Sequence, residues 1–119
     1  MKYDPIPDIE ESELNIDNSI ITNLELFSKK LKFIELSGVN IESEREKLNA
    51  VLDKLIKSLL TGIKDNPSKL WVMKHFQIAL VEIEAEDTEA REHFGLELEF
   101  IMDILQIESS DGLLNYYLE

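Results

Sequence analysis

Apolar residues recur at helical spacing along most of this chain. Ile20, Leu24, Phe27, Leu31 and Ile34 follow one another at gaps of four, three, four and three. That rhythm places them on one face of a helix. The helix opens at the cap-forming run Asp17–Asn18–Ser19 and is expected to end near Ser37, with Gly38 as a left-handed cap. A second helix starts at Ser43 and Glu46, spaced as a capping box. Leu48, Leu52, Leu55 and Leu59 form one row on it, and Val51, Ile56, Leu60 and Ile63 widen that row. So broad a stripe predicts the central helix of the fold, with Gly62 fraying its end. Asn66 and Pro67 separate it from a third helix, with Asn66 as the expected cap and Pro67 at the first helical position. Val72, Phe76, Ala79 and Ile83 line one face there, with Leu70, Met73 and Leu80 beside them.

No Gly or Pro falls between Pro67 and Gly95. An uninterrupted helix over that length would be long for a domain of this size. The acidic stretch from Glu84 to Glu92 lacks a large apolar residue, so a turn is placed at 85–87, with Asp87 or Thr88 capping the fourth helix. Phe94, Leu98, Ile101 and Leu105 form its core row, and Phe100, Ile104 and Ile107 a second one. Gly95 within it offers room for a close helix crossing. Ser109 or Ser110 ends this helix and caps a short fifth, with Leu113, Leu114 and Tyr117 facing inward. Residues 1–18 contain Pro5 and Pro7, which oppose helix, and read as an extended arm with Ile6, Ile9, Leu14 and Ile16 available for packing. The fold class predicted is all-α: an antiparallel up-down four-helix bundle with an extended N-terminal arm and a short fifth C-terminal helix. The domain proper spans 19–119.

Composition agrees. The chain has 119 residues, 44% hydrophobic, with four glycines and three prolines. That suits one helical domain with a real core. The absence of cysteine excludes disulfides, Cys-based zinc sites and a thiol nucleophile. The first residues lack the apolar stretch of a secretory signal, and no run has the roughly 18 apolar residues that span a bilayer. A cytoplasmic location is the expectation.

Charge changes the picture more. The net charge is −13. Residues 82–108 alone hold ten acids against Arg91, whereas 19–81 are net basic. Acidity repels phosphate backbones and anionic membranes and steers basic proteins in. The expected partner is therefore a basic protein, with no nucleic acid and no membrane.

Candidate chemistry is sparse. Glu89 and His93 share a helix face, with Glu92 and Glu97 nearby. A di-iron bundle needs Glu three residues before His, but Ala90 precedes His93 there and Val72 precedes His75. Nucleophile elbows and glycine-rich phosphate loops are missing. The serines mostly stand at cap positions. No catalytic residue, cofactor or metal is assigned. The remaining distinctive group is the tail from Glu108 onward. Adjacent helical residues point about 100° apart, so Tyr116 and Tyr117 cannot both face one core, and a tyrosine among acids anchors well against a basic partner. The candidate partner-binding residues are Glu108, Ser110, Asp111, Asn115, Tyr116 and Tyr117.

Asn66–Pro67–Ser68, Trp71, Phe76, Asp87–Thr88, Arg91, Ile101–Met102–Asp103–Ile104 and the run from Glu108 to Asn115 together resemble a family of small helical bacterial proteins. It is the domain of unknown function number forty-eight forty-four. The resemblance lies mainly in the C-terminal half and implies an all-helical fold with no assigned activity. In size and charge the chain is also similar to acidic four-helix immunity proteins that neutralise bacterial nuclease toxins. Ser110–Asp111 and Tyr116–Tyr117 look like their Ser-Asp and Tyr-Tyr pairs. The spacing in this chain is longer, and Leu118 stands where a proline follows the tyrosines in those proteins. Three functions follow as expectations. The first is a non-catalytic acidic interaction module, of which an immunity-type inhibitor is one form. The second is a ligand-binding or enzymatic bundle using interhelical acids with His75 or His93. The third is a homo-oligomer that buries a surplus apolar face of the second helix.

Overall fold

The computed structural model describes residues 3–30 and 42–118, with the side chains of 42 and 43 excepted. Five α-helices carry the fold: α1 Asn18–Lys29, α2 Glu42–Gly62, α3 Lys69–Glu82, α4 Thr88–Leu105 and α5 Leu113–Leu118. Among the described residues there is no strand, only an isolated antiparallel bridge between Glu13 and Ser68. Before α1 the arm is extended except for one 3-10 turn, Ile6–Asp8.

The helix starts follow local chemistry. Asp17 accepts the Ile20 N–H at 3.0 Å and Asp87 accepts the Ala90 N–H at 2.9 Å. Each thereby satisfies a donor that the first helical turn leaves unpaired. The turn expected at 85–87 is present, with Asp87 as the cap. At α3 the cap differs from expectation. Ser68, not Asn66, accepts the Trp71 N–H at 3.1 Å. Pro67 stays outside the helix because its carbonyl is taken by the Leu14 N–H at 2.7 Å. Asn66 serves the previous helix instead, donating from Nδ2 to the Gly62 carbonyl at 3.0 Å.

The first helix is shorter than its pattern predicts. It stops at Lys29, and Lys30 is extended, with its N–H on the Phe27 carbonyl. Ser28 Oγ donates to the Glu25 carbonyl at 2.6 Å, a side-chain competition that disfavours helix continuation. Leu31, Phe33, Ile34, Ser37, Gly38 and the Ser43 cap lie outside the described residues or side chains. The fourth helix also stops early. Gln106 is left-handed (φ 61°), and its N–H and that of Ile107 return to Asp103 and Met102. This is a Schellman stop, in which buried Ile107 packs back toward buried Met102; a Gln fills the place that sequence reading reserves for Gly.

The core holds the predicted rows. Leu48, Leu52, Leu55 and Leu59 of α2, Val72 and Phe76 of α3, and Phe94, Leu98, Ile101 and Leu105 of α4 are all buried. Helix α2 packs on α1, α3 and α4, as befits a central element, and α5 lies against both α3 and α4. Of the widened stripe of α2, Val51, Ile56 and Ile63 are buried and Leu60 is partly buried. Phe100 departs from expectation. It is 55% exposed, because it sits beside the Phe94–Leu98–Ile101 row and not on it. Among the described residues its ring approaches that of Phe27, 6.4 Å between centroids. From the arm, Ile9 and Leu14 enter the core and Ile6 and Ile16 pack on it.

Two glycines permit close contacts. A Cβ on Gly62 would sit 2.7 Å from the Trp71 ring, and one on Gly95 would strike Leu118 Cδ1. Gly95 thus supplies the close crossing, with α5 as the partner, and Gly62 seats an indole where fraying was expected. Alanine favours a helix over glycine by about 1 kcal/mol. The Leu118 methyl can rotate aside, whereas the indole is rigid. Gly62→Ala is therefore expected to lower stability by about 1–2 kcal/mol and Gly95→Ala to be near neutral in chemical denaturation. The reverse order would refute the contact assignment.

Candidate functional site

The tail residues expected to act together are divided by α5 between two surfaces. The first surface joins α5, the start of α3 and the arm. Its centre is Asp111, held in a left-handed conformation (φ 52°) and followed by Gly112 at φ 92°. Asp111 Oδ2 accepts from Lys69 Nζ at 2.6 Å and from the Glu10 N–H at 2.9 Å. The Lys69 ammonium and then the Glu10 N–H hold its carboxyl below the usual aspartate range. The Asp111 N–H in turn donates to Ser109 Oγ, and Ser110 Oγ accepts the Leu114 N–H at the start of α5.

Tyr117 is buried, and its hydroxyl accepts from Gln77 Nε2 at 3.0 Å. Tyr116 is half-buried between Tyr3 of the arm and the Tyr117 ring, at 5.5 and 4.9 Å. Ser110, Asp111 and Tyr117 therefore have structural duties within the chain. Lys69 was not singled out from sequence. It is the one charged residue with buried status among those described, 9% exposed. A lysine at the first position of a helix opposes the helix dipole, and that was the available signal.

The second surface is a shallow groove between α4 and α5. Gly95, Leu114 and Leu118 form its floor at one end, under Glu92, His93 and Glu99. It continues past Asn115 to Met102 and Ile107, flanked by Asp103 and Glu108. Glu89, Glu92, Leu96, Glu99 and Asp103 follow at helical gaps of three and four, and all are exposed. Exposed Glu108 and Asn115 extend that acidic edge. Among the described residues, no ion pair engages Glu92, Glu99, Asp103 or Glu108. Arg91, the sole Lys or Arg after Lys74, donates instead to the Tyr117 carbonyl at 3.3 Å, at the C-terminal end of α5.

The histidines lie apart. His93 lines the α4–α5 groove. His75 lines a hollow between α2 and α3 with Ser58 and the Lys54–Glu82 ion pair. No group of three or more metal-ligating side chains is present among the described residues. No described helix is long and apolar enough to cross a membrane.

A family model, domain of unknown function DUF4844, matches residues 15–119. The chain belongs to this family. The match extends well beyond the C-terminal half and begins just after the arm residues that contact α3. No curated protein and no solved structure matches the chain.

In this DUF4844 domain the Lys69–Asp111 pair is half-sheltered, with side-chain exposures of 11% and 27%. Asn also tolerates the left-handed conformation, so Asp111→Asn removes charge without changing the turn. It is expected to cost about 2 kcal/mol, whereas exposed Glu108→Gln should stay within about 0.5 kcal/mol of wild type. Asp4, Glu11, Asp17 and Asp111 all titrate below their ordinary range when folded. The unfolded chain therefore binds protons first. Their stabilisation is full above the ordinary carboxylate pKa of about 4 and is lost as pH falls through the lower folded values. Thermal melts should show that acid-side loss, and Asp111→Asn combined with Glu11→Gln should flatten it; an unchanged slope would count against these contacts.

Proposed function

We propose that this domain is a non-catalytic interaction module whose α4–α5 groove takes a basic segment of a partner protein. The observation that carries the reading is an apolar floor beneath carboxylates that have no cationic partner among the described residues. Exposed ion pairs contribute less than about 1 kcal/mol each. The acids would therefore set encounter rate and partner choice, and affinity would come from side chains reaching Leu114, Leu118 and exposed Leu96. Inhibition of a basic enzyme, in the manner of an immunity protein, is one form such binding takes.

A ligand-binding or enzymatic reading would use His75 or His93. The Nδ1 of His75 lies 2.9 Å from the Trp71 carbonyl. A carbonyl only accepts, so this contact places a proton on Nδ1. The hollow that His75 lines holds about 180 Å³, below the roughly 300–1,000 Å³ of small-molecule pockets. That difference counts against a small-molecule site at His75.

The test is affinity capture from the native host's extract with the wild type and with a variant carrying Glu92→Gln, Glu99→Gln and Asp103→Asn. A basic protein should be retained by the wild type at about 50 mM salt and released near 500 mM, where screening is nearly complete. The variant should not retain it. Equal retention by the variant, or retention indifferent to salt, would contradict the assignment.

A further inference from the structure

Residues 3–14 meet the domain as a docked peptide does. The Tyr3 ring lies on Tyr116. Asp4 Oδ1 accepts from Gln77 Nε2 at 2.9 Å. Pro5, Ile9 and Leu14 are buried and Ile6 is half-buried, while the other residues of this stretch are exposed. The carboxylate of Glu11 accepts the Ser68 hydroxyl at 2.5 Å and the Leu70 N–H at 3.0 Å. It thereby caps the positive end of α3 from outside that helix. Backbone bonds fix the register: the Lys69 N–H donates to the Ser12 carbonyl at 2.9 Å, and the Leu14 N–H to Pro67 at 2.7 Å. Main-chain bonds with alternating apolar anchors are the means by which extended segments are recognised.

The receiving residues, Pro67 to Leu70, Gln77, Asp111 and Tyr116, all fall inside the family domain, whereas residues 3–14 precede its match at 15. The surface thus lies within the matched residues, and the segment that covers it lies before them. Charge fits too. The Lys69 ammonium is taken by Asp111, and the charge of Lys74, one turn further along α3, acts on Glu11. An acidic segment is welcome at this place on a chain whose net charge is −13.

We propose that the surface formed by the start of α3 and by α5 is a docking groove for an extended acidic segment of a partner protein, with the arm as its resident occupant. The partner segment carries an apolar residue, a glutamate two positions later and a second apolar residue three beyond it, as Ile9, Glu11 and Leu14 do. This surface is separate from the acidic α4–α5 groove and takes a partner of opposite charge.

The arm competes at an effective concentration on the order of millimolar, so the test weakens it. A labelled peptide of residues 3–14 is titrated, with anisotropy as readout, against the full-length wild type and full-length Asp4→Asn/Glu11→Gln. The variant should bind the peptide at least ~10-fold more tightly than the wild type. A peptide carrying Glu11→Gln should bind the variant ~10-fold more weakly than the parent peptide. A folded variant that binds no peptide, or binds it no better than the wild type, overturns the proposal. Hydrogen exchange on the wild type decides independently should the variant not fold. The Glu10 and Leu14 amides should exchange at least ~10-fold faster than that of Phe76, because the arm opens alone. Exchange of all three at one rate overturns the proposal.

Discussion

One ion pair joins three parts of this chain that are far apart in sequence. Lys69 stands at the first turn of α3, where the helix dipole disfavours a cation, and it is almost fully buried. A charge in that position requires a partner, because an unpaired buried ammonium costs several kcal/mol. Asp111 supplies it, 2.6 Å away, and does so from a left-handed turn that also starts α5. The same carboxylate oxygen receives the Glu10 N–H. The arm, the entry to α3 and the tail helix therefore share one acceptor. Where Asp111 sits decides where α5 lies, and α5 in turn shapes both candidate surfaces.

The division of the tail follows from this anchoring. One side of α5 buries Tyr117 against Gln77 and lays Tyr116 against the arm. The other side presents Asn115 and Leu118 to α4, where Gly95 lets the two helices approach. An acidic stripe on α4 then becomes a wall of a groove. The two surfaces differ in sign. The α3 side offers Lys74 and a helix N-terminus, Lys69 being taken by Asp111; the α4 side offers carboxylates. A strongly acidic chain in this way holds its own acidic arm at one place and leaves carboxylates exposed at another.

Much of the fold was legible because packing followed helical spacing. The rows of α2, α3 and α4, the Asp87 cap and the inward Leu113, Leu114 and Tyr117 needed no tertiary information. The failures share a cause: each depended on a partner distant in sequence or on an unusual residue in a common role. Gln106 ends α4 in a conformation usually left to glycine. Ser68 rather than Asn66 caps α3, because the arm holds Pro67 by its carbonyl. Phe100 fits a helical row on paper yet lies at its edge. Of the tail residues, Glu108 and Asn115 are exposed. Asp111 and Tyr117 carry hydrogen bonds to α3 that no local pattern encodes.

The most direct measurement is a double-mutant cycle at the junction, with Lys69→Met, Asp111→Asn and the combination compared in chemical denaturation. A pair that organises the junction should show a coupling energy of about 1–2 kcal/mol, the double variant losing less than the two single losses added. A coupling near zero, with the single losses simply additive, would contradict the central place of Lys69 and Asp111 in this fold.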